Sequence, residues 1–203
     1  MPVRVIGGTI PTAFYTYTSV QNASAAAFTF SASTGTASTR KTIAVFVRVN
    51  GVISSVVING VAIAPASTFG PSLYIAAAPT GTTATVTVNM SAVLAYTCTV
   101  TVFAVYDLAS IVPLGLTTSV ASPAVLDITV PNRGVVLALA CSGKSGATYT
   151  WTGLTRDFQQ VSGASDIPRS GAHIAVVAAG APLVVRCAYS AILSPRAVAV
   201  SLR

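Results

Sequence analysis

Residues 79–108, PTGTTATVTVNMSAVLAYTCTVTVFAVYDL, decide the fold class. After a Pro-Thr-Gly turn, Thr85, Val86, Thr87, Val88, Asn89 and Met90 alternate strictly between hydroxylated or polar and apolar. After a break at Ser91–Ala95, the alternation resumes from Thr97 to Tyr106. A period of two with almost no charge is the pattern of strands that bury one face and keep the other hydroxylated. The spacing predicts two strands joined by a short segment, an antiparallel pair near the centre of a sheet. By parity Thr97, Thr99 and Thr101 point outward, and Cys98, Val100 and Val102 point inward.

Outward from this stretch the chain keeps the same style. Phe28–Ser33 is a short alternating run. Arg40–Val49 (RKTIAVFVRV) is a strong strand, with Ile43, Val45 and Val47 on one face and Ala44, Phe46 and Arg48 on the other. Asn50–Gly51 and Asn59–Gly60 are hairpin-type turn dipeptides. Ser72–Ala77 and Val125–Val130 read as strands, as do Ile174–Ala178, Leu183–Tyr189 and Ala197–Leu202. Val135–Cys141 is apolar on both parities, as in a strand buried on both faces. Pro113, Gly115 and Pro123 make Ala109–Pro123 a crossing segment between two halves. Residues 153–172 hold two of the four acids and read as a long exposed loop.

No 3.6-residue period persists anywhere. Many short strands with regular Gly, Pro and Asn punctuation predict an all-β fold: a single antiparallel β-sandwich with jelly-roll or Greek-key wiring. Its domain spans 28–203. Residues 1–27 are either an N-terminal docking arm, with Arg4, Phe14, Tyr15 and Tyr17 as its contact residues, or a first strand.

Of the 203 residues 53% are hydrophobic and only 7% charged, where about 25% is usual. Such a chain covers its surface with Ser, Thr, Ala, Gly and Asn, which suits a protein covered by neighbours in an assembly. A mean hydropathy of +0.75 raises the question of a membrane. The runs Gly134–Cys141 and His173–Val185 fall short of the roughly 18 residues a spanning helix needs. The start also lacks the apolar segment and small-residue cleavage site of a secretion signal, which an outer-membrane barrel requires. No membrane insertion is expected. The net charge is +7, but the cations are scattered singly except for Arg40–Lys41. No cluster with interleaved aromatics suggests a nucleic-acid groove, so no direct nucleic-acid binding is expected.

Candidate chemistry is sparse. Cys98, Cys141 and Cys187 form no C-x-x-C and have no neighbouring histidine, so no zinc site is expected. They read either as small buried hydrophobes or as a Cys98–Cys187 bridge, or one bonded to a neighbouring chain, with one thiol left over. His173 is the sole histidine. A general-base role needs a nucleophile and an orienting acid; the nearest acid in sequence is Asp166, and no G-x-S-x-G elbow occurs, so a surface position is expected. Four acids, none of them Glu, leave little for the paired carboxylates of glycoside hydrolysis. Gly143–Gly146 lacks the following helix of a phosphate loop. No enzyme, metal or cofactor is expected. Trp151 with Tyr149 is the best sugar-stacking candidate, with Arg156, Asp157 and Phe158 beside it on a ligand or partner edge. The competing reading packs Trp151 into the sandwich.

Five stretches together carry a resemblance: RKTIAVFVRV at 40–49, INGVAI at 58–63, LYIAAAPTGTTATVTV at 73–88, VFAVYDL at 102–108 and TYTWTGLT at 148–155. In this order they resemble a widespread group of β-sandwich proteins encoded in tailed bacteriophages and prophages, from about residue 28 to the end. The resemblance implies a non-enzymatic virion component of head decoration, neck or collar, or tail-fibre type, assembled in the bacterial host cytoplasm. Its expected partners are copies of itself and other virion proteins. The alternative is a carbohydrate- or receptor-binding sandwich whose partner is a host surface glycan.

Overall fold

A computed structural model describes residues 10–77, 80–129, 133–143, 146–160, 168–176, 183–190 and 194–203. They form strands β1 (Thr12–Ser33), β2 (Lys41–Val49), β3 (Ile53–Ile58), β4 (Val61–Ile63), β5 (Pro65–Ser67), β6 (Ser72–Ala77), β7 (Thr83–Tyr106) and β8 (Gly115–Ser119). The chain continues through β9 (Ala124–Ile128), β10 (Gly134–Cys141), β11 (Tyr149–Thr152), β12 (Thr155–Gln160), β13 (Arg169–Val176), β14 (Leu183–Tyr189) and β15 (Arg196–Leu202). Among the described residues there is no helix and every strand pairing is antiparallel, so the chain has the all-β, sandwich-like class its alternation predicts.

Residues 79–108 do not fold back on themselves as the expected hairpin. They contain one strand, β7, of 24 residues. The 22-residue β1 pairs with it from Thr12↔Tyr106 to Ser33↔Thr83. Along the other edge of β7, β3 pairs with the first Thr/Val run and β2 with the second. The break between the runs is a bend, with Ser91–Val93 exposed, where residues 90–93 of β7 bulge opposite Ala26 of β1. A bulge bends and twists a strand locally. The two runs therefore lie in facing layers. Val86 and Val88 meet Val100 and Val102 across one buried cluster with Phe28, Phe30, Ile43 and Val45. This first half curls toward a barrel, with its path running β4-β3-β7-β2-β6-β5.

Residues 12–27 belong to β1; residues 1–9, Arg4 among them, lie outside the described residues. A first bulge between Tyr15 and Tyr17 flips the parity. Tyr15 then packs on one side of the sheet and Tyr17 on the other.

The second half pairs β12-β13-β10-β15-β8 in one sheet and β11-β14-β9 in another. The order β8-β15-β10-β13 facing β9-β14-β11 is jelly-roll wiring, in which the first and last strands are neighbours. Leu126, Ile128, Val136, Ala138, Val185 and Cys187 fill its core. Residues 153–172 are not a long loop: they hold β12 and the start of β13, and only 161–167 lie outside the described residues. The polar run misled because β12 is an edge strand with a bulge between Arg156 and Phe158. Ala109–Pro123 likewise holds an edge strand, β8, besides crossing between the halves.

A third apolar layer lies between the halves and adds to the single core of a two-sheet sandwich. Ala44, Phe46, Phe103 and Val105 from the first half meet Val135, Leu137, Leu139, Val198 and Val200 from the second. This explains why β10 is buried on both faces, as its apolar run predicts. Phe46 and Phe103 meet edge-on at 5.8 Å. Each is fully buried, a burial that stabilises by about 1.5–3 kcal/mol.

Of the two Asn-Gly turns, Asn59–Gly60 closes the β3–β4 hairpin, with φ of 49° and 81°. Left-handed backbone at both positions is the signature of a tight two-residue hairpin. Asn50–Gly51 instead carries the chain from β2 to β3, which do not pair; Asn50 Oδ1 accepts from the Thr97 backbone N–H at 2.8 Å.

Candidate functional site

The five residues expected at a ligand edge do not share one surface. Tyr149 is buried in the jelly-roll core. Its hydroxyl donates to the Pro168 carbonyl at 2.5 Å, and its ring meets Tyr189 at 5.3 Å. It is a packing residue, and the edge assignment is corrected. Trp151 sits half-buried against the same core, and its Nε1 donates to Ser170 Oγ at 3.0 Å. Arg156 is exposed, with Nη1 reaching the Tyr149 carbonyl at 3.2 Å. Phe158 stacks on Tyr15 at 4.5 Å, tying β12 to β1.

Asp157 is the extra residue of the β12 bulge, and its side chain meets the neighbouring strand. Its Oδ1 lies 2.7 Å from His173 Nδ1. The orienting acid that the sequence did not offer His173 is therefore Asp157, reached across the pairing of β12 with β13. Contiguity in sequence pointed to Asp166, which lies outside the described residues. A carboxylate at Nδ1 fixes the tautomer and orientation of an imidazole. Among the described residues Asp157 is the hydrogen-bond partner of His173, so the arrangement is a histidine oriented by a carboxylate.

The expected docking residues divide. Phe14 is 54% exposed and lines a hollow of about 440 Å³ with Thr12, Thr16, Thr36, Tyr106 and Asp107. Tyr15 and Tyr17 are engaged within the fold. Burial raises the pKa of Tyr15 while the Arg169 charge opposes it.

All three cysteines are free and buried. Cys98 lies in the barrel-like core and Cys187 in the jelly-roll core, so the bridge between them is excluded by the third layer separating those cores. Burial pushes each of these two thiols up to about 12.

The third layer changes character at one end, on several strands at once. On β10 the row Val135, Leu137, Leu139 ends in Cys141. On β15 the row Leu202, Val200, Val198 ends in Arg196, and on β2 the row Ala44, Phe46 ends in Arg48. Arg169 and Arg196 stand directly opposite Cys141 on its two neighbouring strands. Burial raises the Cys141 pKa, and Arg48, then Arg196 and Arg169, pull against that rise. Thr99 and Thr101 belong to the same end and are buried. These two hydroxyls, expected to face water or a neighbouring subunit, are covered by the chain's own second half. Thr18 Oγ1 lies 3.1 Å from Thr101 Oγ1 and accepts from Arg169 Nε at 3.2 Å.

A cleft of about 570 Å³ opens beside this end, lined by Arg48, Arg196 and residues of β2, β3, β5 and β6 and the loops between them. Arg196 is held over the Phe69 ring at 5.4 Å, and Arg48 Nη1 donates to the Val49 carbonyl. No carboxylate lines the cleft among the described residues. Nothing in the sequence marks this group, because its members are singly placed cations that only strand pairing brings together. The chain matches no protein-family model, no curated protein and no solved structure.

Proposed function

We propose that the chain is a non-enzymatic structural protein of a tailed-phage particle, acting by self-association and by docking on other virion proteins. The observation that carries self-association is the β8 edge. Leu116 of β8 and Ile111, Val112, Leu114 and Val120 flanking it are all exposed, and on its outer side β8 has no strand partner among the described residues. An open, apolar sheet edge is a template for pairing with another chain. Residues 108–126 also carry no charged side chain. Two copies of a chain with net charge +7 meet there with the least repulsion, so the occupant is a second copy of this chain. The phage setting rests on the resemblance of the five β stretches to phage sandwich proteins.

Two measurements test this. Sedimentation at micromolar concentration is expected to show a homo-oligomer; a monomer overturns self-association. Mass spectrometry of density-purified particles from the phage or prophage that encodes the chain is expected to find it bound. Its presence only in the soluble lysate overturns the virion assignment.

A further inference from the structure

We propose that the cleft beside Arg48 and Arg196 binds a small organic oxyanion, a carboxylate- or phosphate-bearing molecule of about monosaccharide size. This goes beyond the structural role and does not rest on it.

Two guanidinium groups from different halves of the chain, one on β2 and one on β15, converge on the same cleft. Like charges brought together in a partly desolvated site repel unless an anion is present. Of the acids among the described residues, Asp107 holds Arg40 at 2.9 Å and Asp157 holds His173. Asp127 is exposed on β9 in the other sheet of the jelly roll. The fourth acid, Asp166, lies outside the described residues. Guanidinium forks suit the paired oxygens of carboxylate and phosphate.

The rest of the cleft suits an organic body with hydroxyls. Ser54, Ser55, Thr68 and Ser72 line it beside Val52, Ile53 and Ile63, and its volume falls within the range of small-molecule sites. Gly70 lies between the two arginines. A Cβ placed there would stand 3.9 Å from Arg48 Nη1 and 4.0 Å from Arg196 Cδ, in ordinary contact. The position therefore admits a side chain.

That space supplies the decisive variant. Calorimetric titration of the full chain with glucuronate, glucose 6-phosphate, glucose and inorganic phosphate at matched ionic strength is expected to show saturable binding of an anionic sugar and none of glucose. Whichever of glucuronate and glucose 6-phosphate binds tighter names the oxyanion. Gly70→Asp, which puts a carboxylate between the arginines, is expected to abolish binding and raise the melting temperature, while Gly70→Asn keeps binding. Arg48→Gln is expected to weaken binding about tenfold or more. If that variant does not fold, the Gly70 pair still decides. Three results overturn the proposal: no saturable binding of either anionic sugar, wild-type affinity in Gly70→Asp, or inorganic phosphate binding as tightly as glucose 6-phosphate.

Discussion

Asp157 Oδ1 lies 2.7 Å from His173 Nδ1, and the side chains are only 12% and 22% exposed. The contact exists because the β12 bulge between Arg156 and Phe158 leaves Asp157 unpaired beside β13. The other carboxylate oxygen, Oδ2, is buried without a hydrogen-bond partner, which offsets part of the gain. We expect a double-mutant cycle of Asp157→Ala and His173→Ala, read by urea unfolding, to give a coupling of about 1 kcal/mol. Strictly additive losses would show that the pair contributes nothing to stability.

Gly171 is required by the rings around it. A Cβ there would fall 2.4 Å from Phe158 and 3.0 Å from Phe103. Phe158 cannot swing away freely, because it stacks on Tyr15 at 4.5 Å. Gly171→Ala is expected to destabilise by about 1–3 kcal/mol, the usual range for overpacking. Adding Phe158→Leu should recover part of that loss. If Gly171→Ala melts with the wild type, the layer between the halves is looser than these distances state.

Cys98 and Cys187 have folded-state pKa values raised to about 12 from an ordinary 9.0, because burial disfavours the thiolate. Below pH 9 both states hold the proton and these groups give no pH dependence. Between 9 and 12 the unfolded chain releases protons that the folded chain keeps, so stability falls as pH rises through that window. Tyr149 and Tyr189, raised by burial as well, act in the same direction above pH 10. Urea midpoints measured from pH 8 to 11 are expected to decline, and a thiol reagent should label Cys98 and Cys187 only on unfolding. Rapid labelling of the native chain at pH 8 would contradict their burial.

The sequence legibly reports whatever depends on local alternation. The inward rows of β2, the two-faced burial of β10, the Asn59–Gly60 hairpin and the all-β class all follow from a period of two or a turn dipeptide. What it concealed has two physical causes. Bulges hide strands: one extra residue at Tyr15–Tyr17 resets the parity of β1, and it resets again at Ala25–Ala27, where residues 90–93 of β7 stand against Ala26 alone. That is why a 22-residue strand read as an arm plus a short strand. The same device turned β12 into a supposed loop. Long-range register is the second cause. Alternation shows that Thr99 and Thr101 share a face, and only the stacking of the two halves shows that this face is covered. Arg48, Arg169 and Arg196 are likewise distant in sequence and become one group through the pairings around Cys141.

Leu116 offers the sharpest test of the assembly surface. It sits on edge strand β8, 41% exposed, and pairs by backbone with Val200 on its inner side. Its side chain therefore contributes little to the fold, while lying among Val112, Leu114 and Val120 in a stretch, 108–126, that carries no charged side chain. A lysine there leaves the β8–β15 ladder intact and places a positive charge on each copy of an interface between chains that are already cationic. Leu116→Lys is expected to change the melting temperature of the isolated chain little, since exposed substitutions usually stay within about 0.5 kcal/mol. It should weaken self-association at least about tenfold by sedimentation, a shift of roughly 1.4 kcal/mol. High salt should recover part of that loss by screening the added charges. An oligomer unchanged by Leu116→Lys would move the interface away from β8, and Phe14→Lys on the opposite half would then be the next position to test.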